Sequence, residues 1–90
     1  MGIAAVIVKV MPSSLNVDFN SVRKKAKKNL EAEGAKNISF EEREIGFGLK
    51  ALMIKMAWPE EKETELIVEK LKMIKEISEV DIEDYRRAFG

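Results

Sequence analysis

The sequence has no cysteine and no histidine. Together these absences exclude disulfide staples, thiolate zinc sites, thiol nucleophiles and imidazole acid–base chemistry. A surplus of charge is missing as well, because 16 basic residues balance 16 acidic ones. A neutral chain is not drawn to nucleic acid or to an anionic membrane by bulk attraction. Long hydrophobic runs are also lacking. The longest, Ile3–Val8, falls far short of the ~20 residues of a membrane-spanning helix. The N-terminus shows no basic segment leading into a longer apolar stretch and a small-residue cleavage site. The expectation is therefore a cytoplasmic protein with no direct nucleic-acid partner and no membrane partner.

What is present suffices for one core. Of 90 residues, 46% are apolar, and a chain of this length buries roughly 60–70% of its unfolded surface. A single domain over residues 1–90 is expected, with no linker or low-complexity tract. The 36% of charged residues are mostly Lys and Glu, a composition resembling that of heat-adapted proteins.

Ile3–Val10 is β-branched and apolar at alternate positions on both sides, the pattern of a central strand that ends at Pro12. Phe19, Val22, Ala26 and Leu30 recur at spacings of three, four and four, which predicts a helix from about Asp18 to Glu33. Asp18 stands at its N-cap, and Gly34 takes the left-handed position after it. Residues 37–45 alternate weakly and carry Glu41–Glu44, as an edge strand does. After Gly46-Phe47-Gly48, residues 49–58 form a second central strand, stopped by Pro59. Ile67, Leu71 and Ile74 mark a second helix over about 61–76, and residues 78–82 alternate as a last strand.

The order βαββαβ, with right-handed crossovers, places both helices on one side of a four-stranded antiparallel sheet. The expected fold is a ferredoxin-like α/β (α+β) sandwich with strand order 4-1-3-2. Alternation assigns Ala4, Val6, Val8, Val10, Leu52, Ile54, Met56 and Trp58 to the helix-covered face. Ile3, Ala5, Ile7, Leu49, Ala51 and Met53 fall on the other. That second face has two readings: an exposed apolar patch that meets a partner or a second copy, or a face screened by lysine stems and edge side chains.

The same outward positions argue against an RNA-recognition motif, which stacks bases on aromatics of its two central strands. None is aromatic here. The basic run Arg23–Lys28 reads as the solvated side of an amphipathic helix, followed as it is by Glu31 and Glu33. The glutamate clusters at 41–44 and 60–63 have neither an EF-hand spacing nor a histidine, so no metal site is expected. Gly46-Phe47-Gly48 lacks the third glycine of a phosphate loop and does not open a helix. No cofactor site and no catalytic constellation emerge.

Two features resist a purely structural reading. Phe47 sits between two glycines at a turn, where a ring is either presented outward or folded back on the core. Tyr85-Arg86-Arg87-Ala88-Phe89 follows the last alternating residues, and its arginines are either solubilising or aimed at an anionic site of a partner.

At these positions the chain resembles the guanine-nucleotide-exchange domains of the elongation factor 1-beta family, in their short archaeal form. The stretch Ile45-Gly46-Phe47-Gly48-Leu49-Lys50-Ala51-Leu52 carries most of the likeness. Val10-Met11-Pro12, Val17-Asp18-Phe19 and Val80-Asp81-Ile82 add to it, and Glu44 stands where the family usually has proline. The resemblance implies a ferredoxin-like fold and a partner, the GTPase elongation factor 1-alpha, bound in its GDP-loaded and nucleotide-free states. The implied activity is faster GDP release with no covalent step, hence no enzyme, by a factor that is monomeric when free. It implies that Gly46, Phe47 and Gly48 meet the partner's second domain. In eukaryotic relatives a lysine near the C-terminus disturbs the GTPase magnesium site, and an ungapped count from Asp81-Ile82 places that role on Arg87. Arg86 is its neighbour in partner binding. The alternative is an interaction module of the same fold that self-associates through the open sheet face.

Overall fold

Alternating apolar side chains build β1, Ile3–Pro12, and β3, Leu49–Pro59, into the centre of one sheet. They run antiparallel with Ala4 opposite Trp58, Val6 opposite Met56 and Val10 opposite Leu52. The edge strand β2, Lys36–Gly46, joins β3, and β4, Ile77–Ala88, joins β1. The order is β2-β3-β1-β4, all neighbours antiparallel, which is the expected ferredoxin-like βαββαβ arrangement. The computed structural model describes residues 2–88.

Helix α1, Phe19–Glu31, begins where the Asp18 carboxylate accepts a hydrogen bond from the Asn20 amide at 2.9 Å. It ends at Ala32, and Gly34 reverses the chain with φ +99°, a conformation that glycine reaches without steric cost. Helix α2 is Glu65–Lys72, shorter than its sequence pattern predicts. Residues 60–64 form a turn instead, because the Lys62 carbonyl accepts from Trp58 Nε1 at 3.1 Å. The Lys62 ammonium is held in turn by the Glu33 carbonyl at 2.6 Å. Both helices lie on one face, and the core between the layers holds Val6, Val8, Val22, Leu30, Leu52, Ile54, Trp58, Ile67 and Leu71, with Trp58 fully buried.

Two differences from the sequence reading concern the sheet. Strand β4 continues six residues past Ile82, so Arg86 and Arg87 are ladder residues opposite Ala5 and Ala4 rather than a tail beyond the strand. A bulge hides this continuation: Val8 faces Ile82 and Ile7 faces Asp84, leaving Glu83 without a register partner. Phe89, the last residue singled out at this end, lies outside the described residues.

The open face is also less exposed than its composition suggests. Ala51 is 0% and Met53 2% exposed, although they point away from the helices. Met53 lies in register between Lys9 and Glu41, and Ala51 lies beside Arg43, so long charged side chains cover the middle of β3. Ile3 and Leu49, nearer the sheet's ends, remain exposed.

Candidate functional site

Strand direction assigns the candidate residues to opposite ends of the molecule. β1 and β2 run one way and β3 and β4 the other. The β2–β3 turn therefore lies at one end, with the β1–α1 connection, and the close of β4 lies at the other. The 11 residues of β3 separate these ends by about 35 Å at roughly 3.3 Å per residue.

At the first end, Gly46 pairs with Leu49 and the loop between them is Phe47-Gly48. Their φ values are +56° and +75°, positive at both central positions as in the mirror-image turns that suit twisted hairpins. Gly46 precedes them at φ +104°, next to a bulge that leaves Ile45 out of register. A Cβ at Gly46 or Gly48 would meet no atom within 4 Å, so the backbone angle alone calls for glycine. Phe47 has no such freedom and is held in the left-handed region by its neighbours. Its ring is 100% exposed and not folded onto the core.

Beside the hairpin, the β1–α1 connection and the first turn of α1 enclose a groove of about 320 Å³ with Gly48 and Lys50. Leu15 is exposed on its rim, and Arg23 binds Glu42 across it at 2.6 Å. Sequence reasoning missed Leu15, an isolated apolar residue among polar loop positions whose nearness to the hairpin depends on topology.

At the second end, strand alternation puts Arg86 and Arg87 on opposite faces of the sheet, and the bulge at Glu83 decides that Arg87 takes the helix side. The Arg86 Nε lies 3.0 Å from Asp84 Oδ2, on the open face. The Arg87 Nε lies 3.9 Å from Glu60 Oε2, on the helix side. Both arginine side chains are largely exposed, at 80% and 74%. The two charges thus diverge.

Between the ends, two carboxylates tie the helices to their connections. Glu33 takes Lys62 at 3.3 Å and Lys70 at 3.5 Å. The Lys62 hydrogen bond holds its carboxyl below the ordinary value of 4.5, against partial desolvation and with help from Lys70. Glu76 accepts from Lys25 at 2.7 Å and Ser21 at 3.4 Å. The Lys25 hydrogen bond is the main cause of its lowered pKa, again opposed by desolvation.

The profile of the EF-1 guanine nucleotide exchange domain matches residues 5–88. The chain belongs to the elongation factor 1-beta family. It is 36% identical to elongation factor 1-beta of Methanosphaera stadtmanae over 88 residues, 97% of this chain and 98% of that one. It is 35% identical to that of Aeropyrum pernix over 89 residues, with the same coverage, and 33% identical to that of Staphylothermus marinus over 84 residues, 91% and 92% of the two chains. Its role is accordingly guanine-nucleotide exchange in translation elongation, which the match favours over a self-associating module. The matched span takes in both the Phe47 hairpin and the arginine pair. Within this exchange domain no described helix is long and apolar enough to cross a membrane.

Proposed function

We propose that this member of the family releases GDP from elongation factor 1-alpha by a two-ended grip. The hairpin Gly46-Phe47-Gly48 docks one domain of the GTPase, and the β4 end delivers Arg87 toward the nucleotide site, with Arg86 contributing charge at the rim. The observation that carries this reading is the Phe47 ring, fully exposed on a backbone that tolerates few alternatives, about 35 Å from the arginines. An exposed aromatic on a backbone already set in its turn loses little backbone entropy on binding and buries a large apolar surface. Few other reasons justify leaving one in water.

An exchange factor works by preferring the nucleotide-free partner over the GDP-bound one, and by exactly as much as its affinities for those two states differ. A guanidinium brought beside magnesium-bound phosphates competes electrostatically with the ion that holds them. Ligand exchange breaks no covalent bond, so the protein acts as an exchange factor and not as an enzyme. The working form in this reading is a cytoplasmic monomer, one domain over residues 1–90, needing no cofactor.

The test is release of a fluorescent GDP analogue from the purified GTPase, followed by stopped flow across magnesium concentrations. Arg87→Ala lowers the saturating release rate and makes it less sensitive to magnesium. A variant that keeps the wild-type saturating rate at every magnesium level removes Arg87 from the mechanism.

A further inference from the structure

The Arg87 guanidinium faces a carboxylate whose course depends on two residues outside the hairpin and the arginine pair. Glu60 follows β3 directly, and its amide donates to the Gly2 carbonyl at 3.0 Å, extending the β1–β3 ladder by one step. Its side chain then crosses Gly2 on the helix side of the sheet. A methyl group built on Gly2 would overlap the Glu60 carboxylate, with its Cδ only 2.6 Å away. On the far side of β1, Arg87 stands opposite Ala4 in β4, and its Nε faces Glu60 Oε2 at 3.9 Å. A carboxylate from beyond β3 thus reaches a guanidinium on β4 by passing over the intervening strand, and it can do so because position 2 has no side chain.

The partners differ in freedom. Glu60 is 26% exposed, seated on Gly2 and anchored through its own amide, whereas the Arg87 side chain is 74% exposed. The carboxylate is approached by Arg87 Nε, at ion-pair distance, rather than by the terminal amino groups. A guanidinium has five N–H donors in a rigid fork, so fixing one side orients the rest.

We propose that Glu60 is a positioning residue that braces Arg87 across Gly2, presenting the terminal amino groups of the guanidinium end-on to an anionic acceptor of the GTPase complex. The proposal rests on the reading of Arg87 as the exchange-promoting residue, but the brace itself is a property of the free protein. Ordering a long side chain before binding removes an entropic cost from association. The brace therefore acts on the concentration of factor needed, not on the rate reached at saturation. Glu60 touches neither nucleotide nor magnesium.

Two measurements separate the brace from the role of Arg87. In the free protein, labelled with ¹⁵N, the Nε–H of Arg87 is more ordered in wild type than in Glu60→Gln or Gly2→Ala, by heteronuclear relaxation. The Arg86 Nε–H, paired with Asp84, stays unchanged in both. Gly2→Ala must act like Glu60→Gln, since its methyl displaces the carboxylate while the charge is retained. Equal Arg87 order in all three proteins overturns the brace, whatever Arg87 does in exchange. In GDP release, both variants raise the half-maximal factor concentration by up to about fivefold, the scale of an exposed ion pair, at an unchanged saturating rate. In an Arg87→Ala background the same substitutions change nothing. A loss of saturating rate, or an equal effect without Arg87, assigns Glu60 a role other than bracing and overturns the proposal. If Arg87→Ala alone exchanges like wild type, the reading of Arg87 fails, and the relaxation result still decides whether the brace exists.

Discussion

The two ends of the sheet present different physics on one scaffold. The Phe47 hairpin is shaped by backbone geometry: three successive residues have positive φ, and one of them carries a bare ring. The β4 end is shaped by side-chain charge, with two arginines held by Asp84 and Glu60 on opposite faces. In the proposed grip, one end binds by shape and apolar area, which salt leaves intact. In the same proposal the other binds by charge, which salt screens within about 10 Å at 0.1 M. On the proposed reading such a factor stays attached by one end while the other engages and withdraws, since the two contacts lie at opposite ends of the sheet.

The most drastic way to break this comparison is to remove the core that both ends share. Leu71 is fully buried between α2 and the sheet. Leu71→Ala costs roughly 2–5 kcal/mol through lost transfer energy and a residual cavity, read as a lower urea midpoint at constant slope. An unchanged midpoint would mean that this helix face does not pack as described.

The hairpin end is broken alone by Phe47→Ala. The ring touches no core residue, so stability stays within about 0.5 kcal/mol, as for an ordinary surface change. Affinity for the GTPase falls by at least about tenfold, in line with loss of an aromatic anchor. A collapse in thermal stability would reassign the ring to the fold. Gly46→Ala sharpens the point, because it adds no clash at φ +104° yet strains the backbone by roughly 1–3 kcal/mol.

Acid acts on the supports between the two tips. Glu33 and Glu76 have lowered pKa values in the folded protein, so their stabilisation is complete above the ordinary value of 4.5. It is lost as pH falls through the folded values below that. Stability is therefore flat with respect to these groups from pH 5 to 8 and declines below about 4.5. Lys62→Met removes part of that decline by abolishing the main cause of the Glu33 shift, which a pH series of urea midpoints measures.

Much of this architecture was legible in the sequence because it depends on local period. The faces of β1 and β3, the stripe of α1, the Asp18 cap and the Gly34 reversal each follow from spacing within a few residues. Phe47 was legible for the same reason, since its flanking glycines announce the turn, although only the structure decides that the ring points outward. What escaped depends on neighbours distant in the chain. α2 is shortened by a tryptophan N–H that captures the Lys62 carbonyl, and the burial of Ala51 and Met53 comes from charged residues on adjacent strands. β4 looked finished at Ile82 because one unpaired residue interrupts its alternation. Glu60 and Gly2 carry no motif, and only the register across three strands brings them to Arg87.

That interruption at Glu83 also bears on how relatives are compared. Had β4 continued without it, Arg86 would stand opposite Ala4 and Arg87 opposite Ile3, on the other side of the sheet. An alignment matches cationic residues by counting along the chain, whereas the folded sheet sorts them by odd and even phase. Two relatives of equal length, one with the bulge and one without, would align arginine on arginine while aiming different ones at the same target. The structural equivalent of Arg87 in a relative is therefore found by locating the residue that shares a face with the position of Gly2, and a single inserted residue upstream can transfer that place to its neighbour.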